Sequence, residues 1–156
     1  MVTCGGGYPL DQTFYQSVKG MCTALPALGQ ESVLLEVSHC GEGLGSAAYA
    51  ELLTSCDNDW RGFLRDIAAR RGQTRLDQWE YQMQTRVLER IGLERLWFAS
   101  DGLPQEIQRH ISVRPLVGPG DARDRAQRAI DDFVGRRPAA RIAVIPNGPY
   151  TMLRPR

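Results

Sequence analysis

The stretch VTCGGGYPLDQTFYQSVKGMCTAL, residues 2–25, decides the fold class of this chain. It begins with a short apolar run at residues 2–4, continues through three glycines and then shows the 3.6-residue period of an amphipathic helix. The apolar stripe of that helix consists of Phe14, Val18, Met21 and Leu25. A strand, a glycine turn and a helix in this order are typical of a βαβ unit, in which the strands run parallel.

Particular residues also predict where the helix and the strand of this first unit begin and end. Asp11 predicts the N-cap of the helix, and Pro26 prevents the helix from continuing. A strand in a buried parallel sheet usually has about five or six residues. The apolar run at 2–4 is shorter, so we expect the first strand to be truncated.

Strands and helices continue to alternate along the rest of the sequence. Further strands are predicted at residues 32–37, 96–99, 112–114 and 141–145. Further helices are predicted at 47–53, from Asp57 or Asp59 through Ile67, from Thr74 to Ile91, at 104–110 and from Asp121 to Val134. The sequence therefore predicts a single α/β domain over residues 1–156, a three-layer domain with a mostly parallel sheet flanked by helices.

The long helix predicted after Thr74 has its own apolar stripe. Its members recur every three or four residues and are Leu76, Trp79, Met83, Val87 and Ile91. Gly92 is expected to end this helix. A tryptophan in such a stripe is as often ordinary core as part of a binding site, and the pattern leaves both interpretations open.

Charge and hydropathy exclude several classes of function. The chain has 19 basic and 18 acidic residues, so no net field attracts nucleic acid or an anionic membrane surface. No apolar run approaches the roughly 20 residues that span a bilayer, and the first residues lack the order of a signal peptide. The sequence therefore predicts a cytoplasmic protein without a nucleic-acid or membrane partner.

Cysteine and histidine are too scattered to predict a metal site within this chain. The four cysteines contain no C-x-x-C pair, and we expect reduced thiols, with a pair between Cys4 and Cys40 as a less favoured alternative. The two histidines are His39, near the end of a predicted strand, and His110. His39 is interpreted as hydrogen-bonded structure more readily than as a ligand or general base.

Two glycine-rich turns follow predicted strands, at residues 5–7 and 41–45. In parallel α/β sheets ligands bind beyond the carboxyl ends of the strands, where such turns let the backbone approach a ligand closely. The second turn is G-x-G-x-G after the second strand, which is only a weak match to a dinucleotide fingerprint. Each glycine can equally well serve a tight turn alone.

A polar group lies on the first predicted helix. At about 100° per residue, Tyr15, Gln16 and Lys19 project within one sector of the helix surface. They lie close after the glycine turn, where free N–H groups and the helix dipole favour an anion. Lys19 offers a cation, Gln16 an amide and Tyr15 an aromatic wall with a hydroxyl. From spacing alone, a solvated helix face remains the favoured interpretation.

Longer motifs add a resemblance to these patterns. GGYPLDQ at 6–12 and Tyr-Gln-x-x-Lys-Gly at 15–20 resemble the C-terminal domain of nickel-pincer-nucleotide lactate racemases. The similarity continues through C-x-E-G-x-G at 40–45, D-Q-W at 77–79 and I-x-V-I-P-x-G at 142–148. It therefore extends over nearly the entire chain.

The resemblance implies a two-domain isomerase that racemises or epimerises 2-hydroxy acids. A larger N-terminal half would hold the cofactor, a nickel bound by a carbon and two sulfurs of a modified nicotinic-acid mononucleotide. That half would supply the anchoring lysine and the histidines, so no cofactor or metal ligand is expected in this chain alone. The partners implied are the N-terminal half, in the same or a separate chain, and a small 2-hydroxy acid.

The same resemblance assigns roles to particular residues of this chain. Lys19 and Gln16 are implied as catalytic residues, and Tyr15 and Trp79 as substrate-binding residues. The cofactor-binding residues implied are Lys19, Gly6 and Gly7. The domain would close over the cleft and would be inactive alone, because the reaction requires a dry, closed site.

Two other classes of function stay open at this point. A free-standing nucleotide- or anion-binding module would use the same glycine turns and basic helix start. A structural or assembly domain would bind no ligand and would tolerate substitutions at Tyr15, Gln16 and Lys19. Loss of turnover in Lys19→Ala of a complete enzyme would favour the isomerase.

Overall fold

The structure is a computed structural model that describes residues 1–154. Its central sheet has four parallel strands, which lie side by side in the same order as they occur along the chain. The strands are β1 (Val2–Cys4), β2 (Leu34–Val37), β3 (Leu96–Ala99) and β4 (Arg114–Pro115). The prediction of a three-layer α/β domain with a mostly parallel sheet is confirmed.

Six α-helices connect the strands and cover the sheet in the described part of the chain. They are α1 (Phe14–Ala24), α2 (Ala47–Cys56), α3 (Trp60–Ala69), α4 (Gln78–Ile91), α5 (Gln105–Gln108) and α6 (Ala122–Arg136). Asp59 caps α3, since its carboxylate accepts a hydrogen bond from the Gly62 N–H at 2.8 Å. Asp121 caps α6 in the same way through the Asp124 N–H at 2.8 Å.

The two faces of the sheet carry separate apolar clusters. The larger cluster includes Phe14 and Met21 of α1, Tyr49 of α2 and Leu88 of α4, all at most 1% exposed. The smaller cluster joins Leu35 and Ala99 of the sheet to Ala122 and Ala126 of α6. Helices on both faces bury the sheet, which is why its strands are mostly apolar, with Thr3 of β1 and Glu36 of β2 as buried polar residues.

The start of α1 differs from the prediction. The helix begins at Phe14 with Thr13 as its N-cap residue, after a separate 3₁₀ turn at Leu10–Gln12. Asp11 is therefore not the N-cap. Its carboxylate instead accepts a hydrogen bond from the backbone N–H of His39 at 3.2 Å, which ties the turn after β1 to the turn after β2.

The prediction that Thr74 caps the long helix is also wrong. The helix starts four residues later, after Asp77 in a left-handed conformation. Leu76 lies before the helix and is 72% exposed. The buried face is formed by Glu80, Tyr81, Gln84, Thr85, Val87, Leu88 and Ile91, together with Gln78 at the helix start.

The strand predicted at 141–145 does not form. Val144 makes one parallel bridge to Val2, supported by a 2.8 Å hydrogen bond from the Ile145 N–H to the Val2 carbonyl. The next residue, Pro146, has no N–H to extend the ladder. The strands predicted at 32–37 and 112–114 are also shifted, to the bounds of β2 and β4.

No helix within residues 1–154 is long and apolar enough to cross a membrane.

Candidate functional site between helices α1 and α4

A cleft of about 340 Å³ lies between α1 and α4. Its lining residues are Lys19, Cys22, Thr23, Trp79, Glu80, Met83 and Pro149. Two of the residues predicted for the site, Lys19 and Trp79, thus face one cavity although they are 60 positions apart.

Close packing of α1 against β1 positions the Lys19 side of the helix. A Cβ on Gly20 would collide with the carbonyl oxygen of Cys4, the last residue of β1. Gly20 also accepts a hydrogen bond from the Thr3 hydroxyl at 3.3 Å through its carbonyl. Because only glycine permits this approach, Lys19 is held next to the carboxyl end of the first strand.

The first turn of α1 offers no free N–H groups to an anion. The Phe14 N–H donates to the Gly43 carbonyl at 2.9 Å and the Tyr15 N–H donates to the Leu44 carbonyl at 3.0 Å. The Gln16 and Ser17 N–H groups donate to the Thr13 carbonyl. The prediction that free N–H groups at this helix start favour an anion is therefore wrong, because the turn at 41–45 and the Thr13 carbonyl already accept their hydrogen bonds.

Trp79 is the aromatic residue that lines the cleft, and Tyr15 packs against it. The rings of Tyr15 and Trp79 are 5.7 Å apart between centroids and meet edge to face at 87°. Tyr15 also meets Tyr49, which is completely buried, at 5.1 Å and 80°. Trp79 is 51% exposed, so it is not an ordinary core residue of α4. Burial and the neighbouring carboxylate of Glu80 both raise the pKa of Tyr15.

Lys19 provides the positive charge of the cleft. It is the only lysine in the sequence, and every other basic side chain apart from the histidines is an arginine. Its ammonium nitrogen lies 5.8 Å from the centroid of the Tyr15 ring, within cation–π range. Within residues 1–154 its ammonium group forms no ion pair within 4.0 Å and donates no hydrogen bond. Lys19 is thus free to bind an anion.

Glu80 is a site residue that the sequence analysis missed. It lines the same cleft but is only 1% exposed, and neither carboxyl oxygen has a hydrogen-bond partner in the described chain. Burial raises its pKa to about 7, against the opposing effect of the Lys19 charge. Its spacing could have predicted that it is buried, because positions 80, 84, 87 and 91 follow the helical period, although the first two are polar.

Tyr15, Gln16 and the two glycines of the proposed cofactor contact lie outside the lining of the cleft. The amide oxygen of Gln16 is buried without a hydrogen-bond partner among residues 1–154. A Cβ on Gly6 would lie 3.3 Å from Pro149, whose ring also lines the cleft, whereas one on Gly7 would meet nothing within 4 Å. Gly7 therefore leaves open space above its backbone, and Gly6 packs against the segment that closes the cleft.

Histidine and cysteine do not gather into a metal site within residues 1–154. His110 pairs with Asp57 at 2.5 Å, and this hydrogen bond raises its pKa. The Cys40 thiol contacts the Ser17 hydroxyl at 3.3 Å, while the Cys4 thiol donates to the Pro146 carbonyl at 3.2 Å. All four cysteines are free thiols, and burial raises the pKa of Cys40 to about 12.

A larger cavity of about 670 Å³ lies elsewhere and contains none of the predicted site residues. Its lining is largely apolar, with Val2, Leu35, Trp97 and Phe133, and also includes the charged residues Glu31, Arg137 and Arg141. The α1–α4 cleft is smaller, but it is lined by Lys19 and Trp79, which the sequence predicts as site residues, and by Glu80, whose carboxyl group is buried without a partner among residues 1–154. Because two predicted site residues and an unpartnered buried carboxyl group converge there, we assign the site to the α1–α4 cleft.

Fold and cleft together define a parallel α/β domain that presents one ammonium group and two aromatic rings beside a glycine turn. A family model described as the lactate racemase C-terminal domain matches residues 1–152. The chain belongs to this family, and the resemblance in its motifs is confirmed.

Relatives of known identity agree with this assignment. The chain is 28% identical over 155 residues to the lactate racemase of Thermoanaerobacterium thermosaccharolyticum, covering 99% of this chain and 34% of that protein. It is 26% identical over 147 residues to the lactate racemase of Lactiplantibacillus plantarum, covering 94% of this chain and 32% of that protein. The chain therefore spans about a third of the length of these relatives.

A solved structure has the same fold. The lactate racemase apoprotein from Thermoanaerobacterium thermosaccharolyticum superposes with a TM-score of 0.79 at 26% identity. The superposition covers 99% of this chain and 35% of that chain. The topology of the described residues is thus that of one part of a lactate racemase.

Proposed function

We propose that this chain is the C-terminal, substrate-covering domain of a nickel-pincer 2-hydroxy-acid racemase or epimerase, active only with an N-terminal cofactor-binding half. The observation that carries the proposal is Lys19, an ammonium group without an ion-pair partner in the described residues. It lies in a cleft lined by Trp79, with its nitrogen 5.8 Å from the centroid of the Tyr15 ring. A small carboxylate bearing a 2-hydroxyl group fits this combination of charge and apolar wall.

The resemblance implies the roles that we propose for the chain's own residues. Lys19 binds a negative group of the substrate or of the cofactor nucleotide. Tyr15 and Trp79 form the wall that orients the substrate and excludes water, which strengthens the charge interaction. Gln16 lies on the same helix as Lys19 and accepts a hydrogen bond from the bound ligand through its unpartnered amide oxygen.

The cofactor fits this chain only through its anionic part. The described residues contain no group of three ligating side chains, so the nickel ligands in this proposal belong to the other half. Lys19 and the open backbone at Gly7 suit a phosphate or carboxylate of a nucleotide. When bound, the cofactor would supply hydride uptake and return at the substrate carbon, as the resemblance implies.

The proposal is tested in the complete enzyme that carries this domain. Lys19→Ala should lower kcat/KM for racemisation of lactate by at least about 30-fold, since removing one partner of a charged contact costs about 2–5 kcal/mol. Lys19→Arg should retain part of the activity. Arg90→Ala, which removes an exposed cation of α4, is the control and should leave kcat/KM unchanged.

Normal turnover in Lys19→Ala would remove the proposed role of this domain's cation. Binding of nicotinic acid mononucleotide to the 156-residue chain alone, measured by calorimetry, would instead favour a free-standing nucleotide-binding module. An effect on assembly of the two halves without any effect on ligand binding would favour a structural domain.

A further inference from the structure

The cleft contains a second charged group, the carboxyl of Glu80, to which the motifs assign no role. It is 1% exposed and its two oxygens have no hydrogen-bond partner within residues 1–154. A buried carboxylate without a partner is unfavourable, and such groups are commonly paired with a cation or kept protonated. The position of Glu80 in a cleft with Lys19 therefore requires a physical explanation.

The ionisable groups around Glu80 come from each element that packs against α4 near it. Helix α1 contributes Lys19, Cys22 and Tyr15, helix α2 contributes Tyr49, and Asp77 precedes α4. Of these groups, only Lys19 is a cation. Its charge favours the ionised form of Glu80, whereas burial and Asp77 oppose it.

Charge balance then links Glu80 to any anion in the cleft. Without a ligand, ionised Glu80 balances the ammonium group of Lys19. An anion that binds Lys19 places a second negative charge near Glu80 in a poorly solvated space, which is unfavourable. Transfer of one proton from solvent to the Glu80 carboxylate restores the balance: the ligand contributes one negative charge and the proton removes one.

We propose that Glu80 is a positioning residue that balances Lys19 in the empty cleft and takes up a proton when a carboxylate or phosphate binds there. This inference rests on the proposed function, because it assumes that Lys19 binds the anion. Glu80 itself does not touch the reacting carbon. Its charge acts on the ammonium group from beyond ion-pair distance and makes anion binding dependent on pH.

The sign of the effect follows from the ionisation of Glu80. Burial raises its pKa to about 7, and a bound anion raises it further. Below this value the carboxyl is already protonated and binding is independent of Glu80. Above it, binding must include a proton, so the affinity for the anion falls towards about tenfold per pH unit.

The first test measures proton uptake in the wild-type complete enzyme. An equimolar mixture of D- and L-lactate is titrated at pH 7.5 in two buffers of different ionisation enthalpy, so that no net racemisation contributes heat. Because about a quarter of Glu80 is already protonated at pH 7.5, proton uptake per bound lactate should reach at most about 0.8, and Glu80→Gln should lower it. No proton uptake with lactate or with nicotinic acid mononucleotide would overturn the proposal.

The second test compares pH profiles of KM for lactate. In the wild type, KM should rise above about pH 7, and Glu80→Gln should remove that rise. Glu89→Gln, an exposed glutamate of the same helix, is the matched control and should keep the wild-type profile. Proton-coupled binding of nicotinic acid mononucleotide to cofactor-free enzyme, with no coupling to lactate, would support the proposal and identify the nucleotide as the anion.

Failure of this inference is distinguishable from failure of the proposed function. If Glu80→Gln and wild type have the same pH profile and the same proton uptake while Lys19→Ala still lowers turnover, only the role of Glu80 is overturned. If Lys19→Ala has normal turnover, both proposals fall. A direct check in the 156-residue chain is ¹³C NMR of the Glu80 carboxyl, whose pKa should rise in Lys19→Met, and an unchanged pKa would overturn the coupling.

Discussion

The indole of Trp79 stands edge-on to the ring of Tyr15, with 5.7 Å between the centroids and 87° between the planes. This contact joins α4 to α1 across more than 60 residues of sequence and forms the aromatic wall beside Lys19. Tyr15 is in turn fixed by the buried ring of Tyr49. The wall is thus rigid on the core side and open on the side of Trp79.

We expect Trp79→Ala to affect activity far more than stability. Trp79 is 51% exposed, so its removal should cost at most about 1 kcal/mol in the free energy of unfolding, the size of one aromatic pair. Trp60→Ala, at a position only 5% exposed, should cost about 3–5 kcal/mol. Urea unfolding of both variants measures this contrast, and racemase assays of Trp79→Ala in the complete enzyme should show reduced kcat/KM. Equal destabilisation by the two variants would contradict the exposed position of Trp79.

Glu80 should make the stability of the domain fall as pH rises. Its pKa in the folded chain is about 7, against an ordinary value of 4.5, so the folded state binds the proton more tightly than the unfolded state. The stabilising contribution is complete below about pH 4.5 and is lost as pH rises through about 7. Glu80→Gln should therefore raise the free energy of unfolding at pH 8 relative to pH 5 by about 1–2 kcal/mol compared with wild type, after allowance for solvent in the cleft.

Urea unfolding at pH 5 and pH 8 measures this difference. Glu89→Gln, on the exposed side of the same helix, should show no such change. If the free energy of unfolding of Glu80→Gln depends on pH as it does in the wild type, another group, such as the fully buried Glu36, causes that dependence.

Gly20→Ala should destabilise the domain. The added Cβ would collide with the backbone carbonyl of Cys4, which is held in the sheet and cannot move as a side chain can. Overpacking of this kind costs about 1–3 kcal/mol. Gly135→Ala in α6 is the matched control, since its Cβ would meet nothing within 4 Å, and it should stabilise by up to about 1 kcal/mol. A neutral Gly20→Ala in thermal unfolding would mean that α1 can shift away from β1.

Asp59→Ala should cost about 1 kcal/mol in the free energy of unfolding, because it removes the hydrogen bond from the Gly62 N–H. Thr74→Ala should have almost no effect, because Thr74 is exposed in the irregular segment before α4 and does not cap that helix. Denaturant midpoints of the two variants test the difference. A larger loss in the free energy of unfolding for Thr74→Ala than for Asp59→Ala would support the sequence-based prediction that Thr74 caps the helix.

The sequence alone determined the fold class, the order of the elements and the family. Apolar runs and helical periods are local properties, and motifs such as Tyr-Gln-x-x-Lys-Gly are read without coordinates. The turn at 41–45 and the cap at Asp59 could also be predicted, because a turn or a helix cap depends on the residue types within a few positions.

Only the tertiary structure decided which face of α4 is buried. The apolar residues favoured Leu76 and Trp79, yet these are exposed, and the polar residues Glu80 and Gln84 pack inward. Asp77 starts the helix in a left-handed conformation, and contact with α1 then fixes the rotation of the helix. The site therefore depends on which side chains of two distant helices meet, and a helical period defines faces but does not specify their partners.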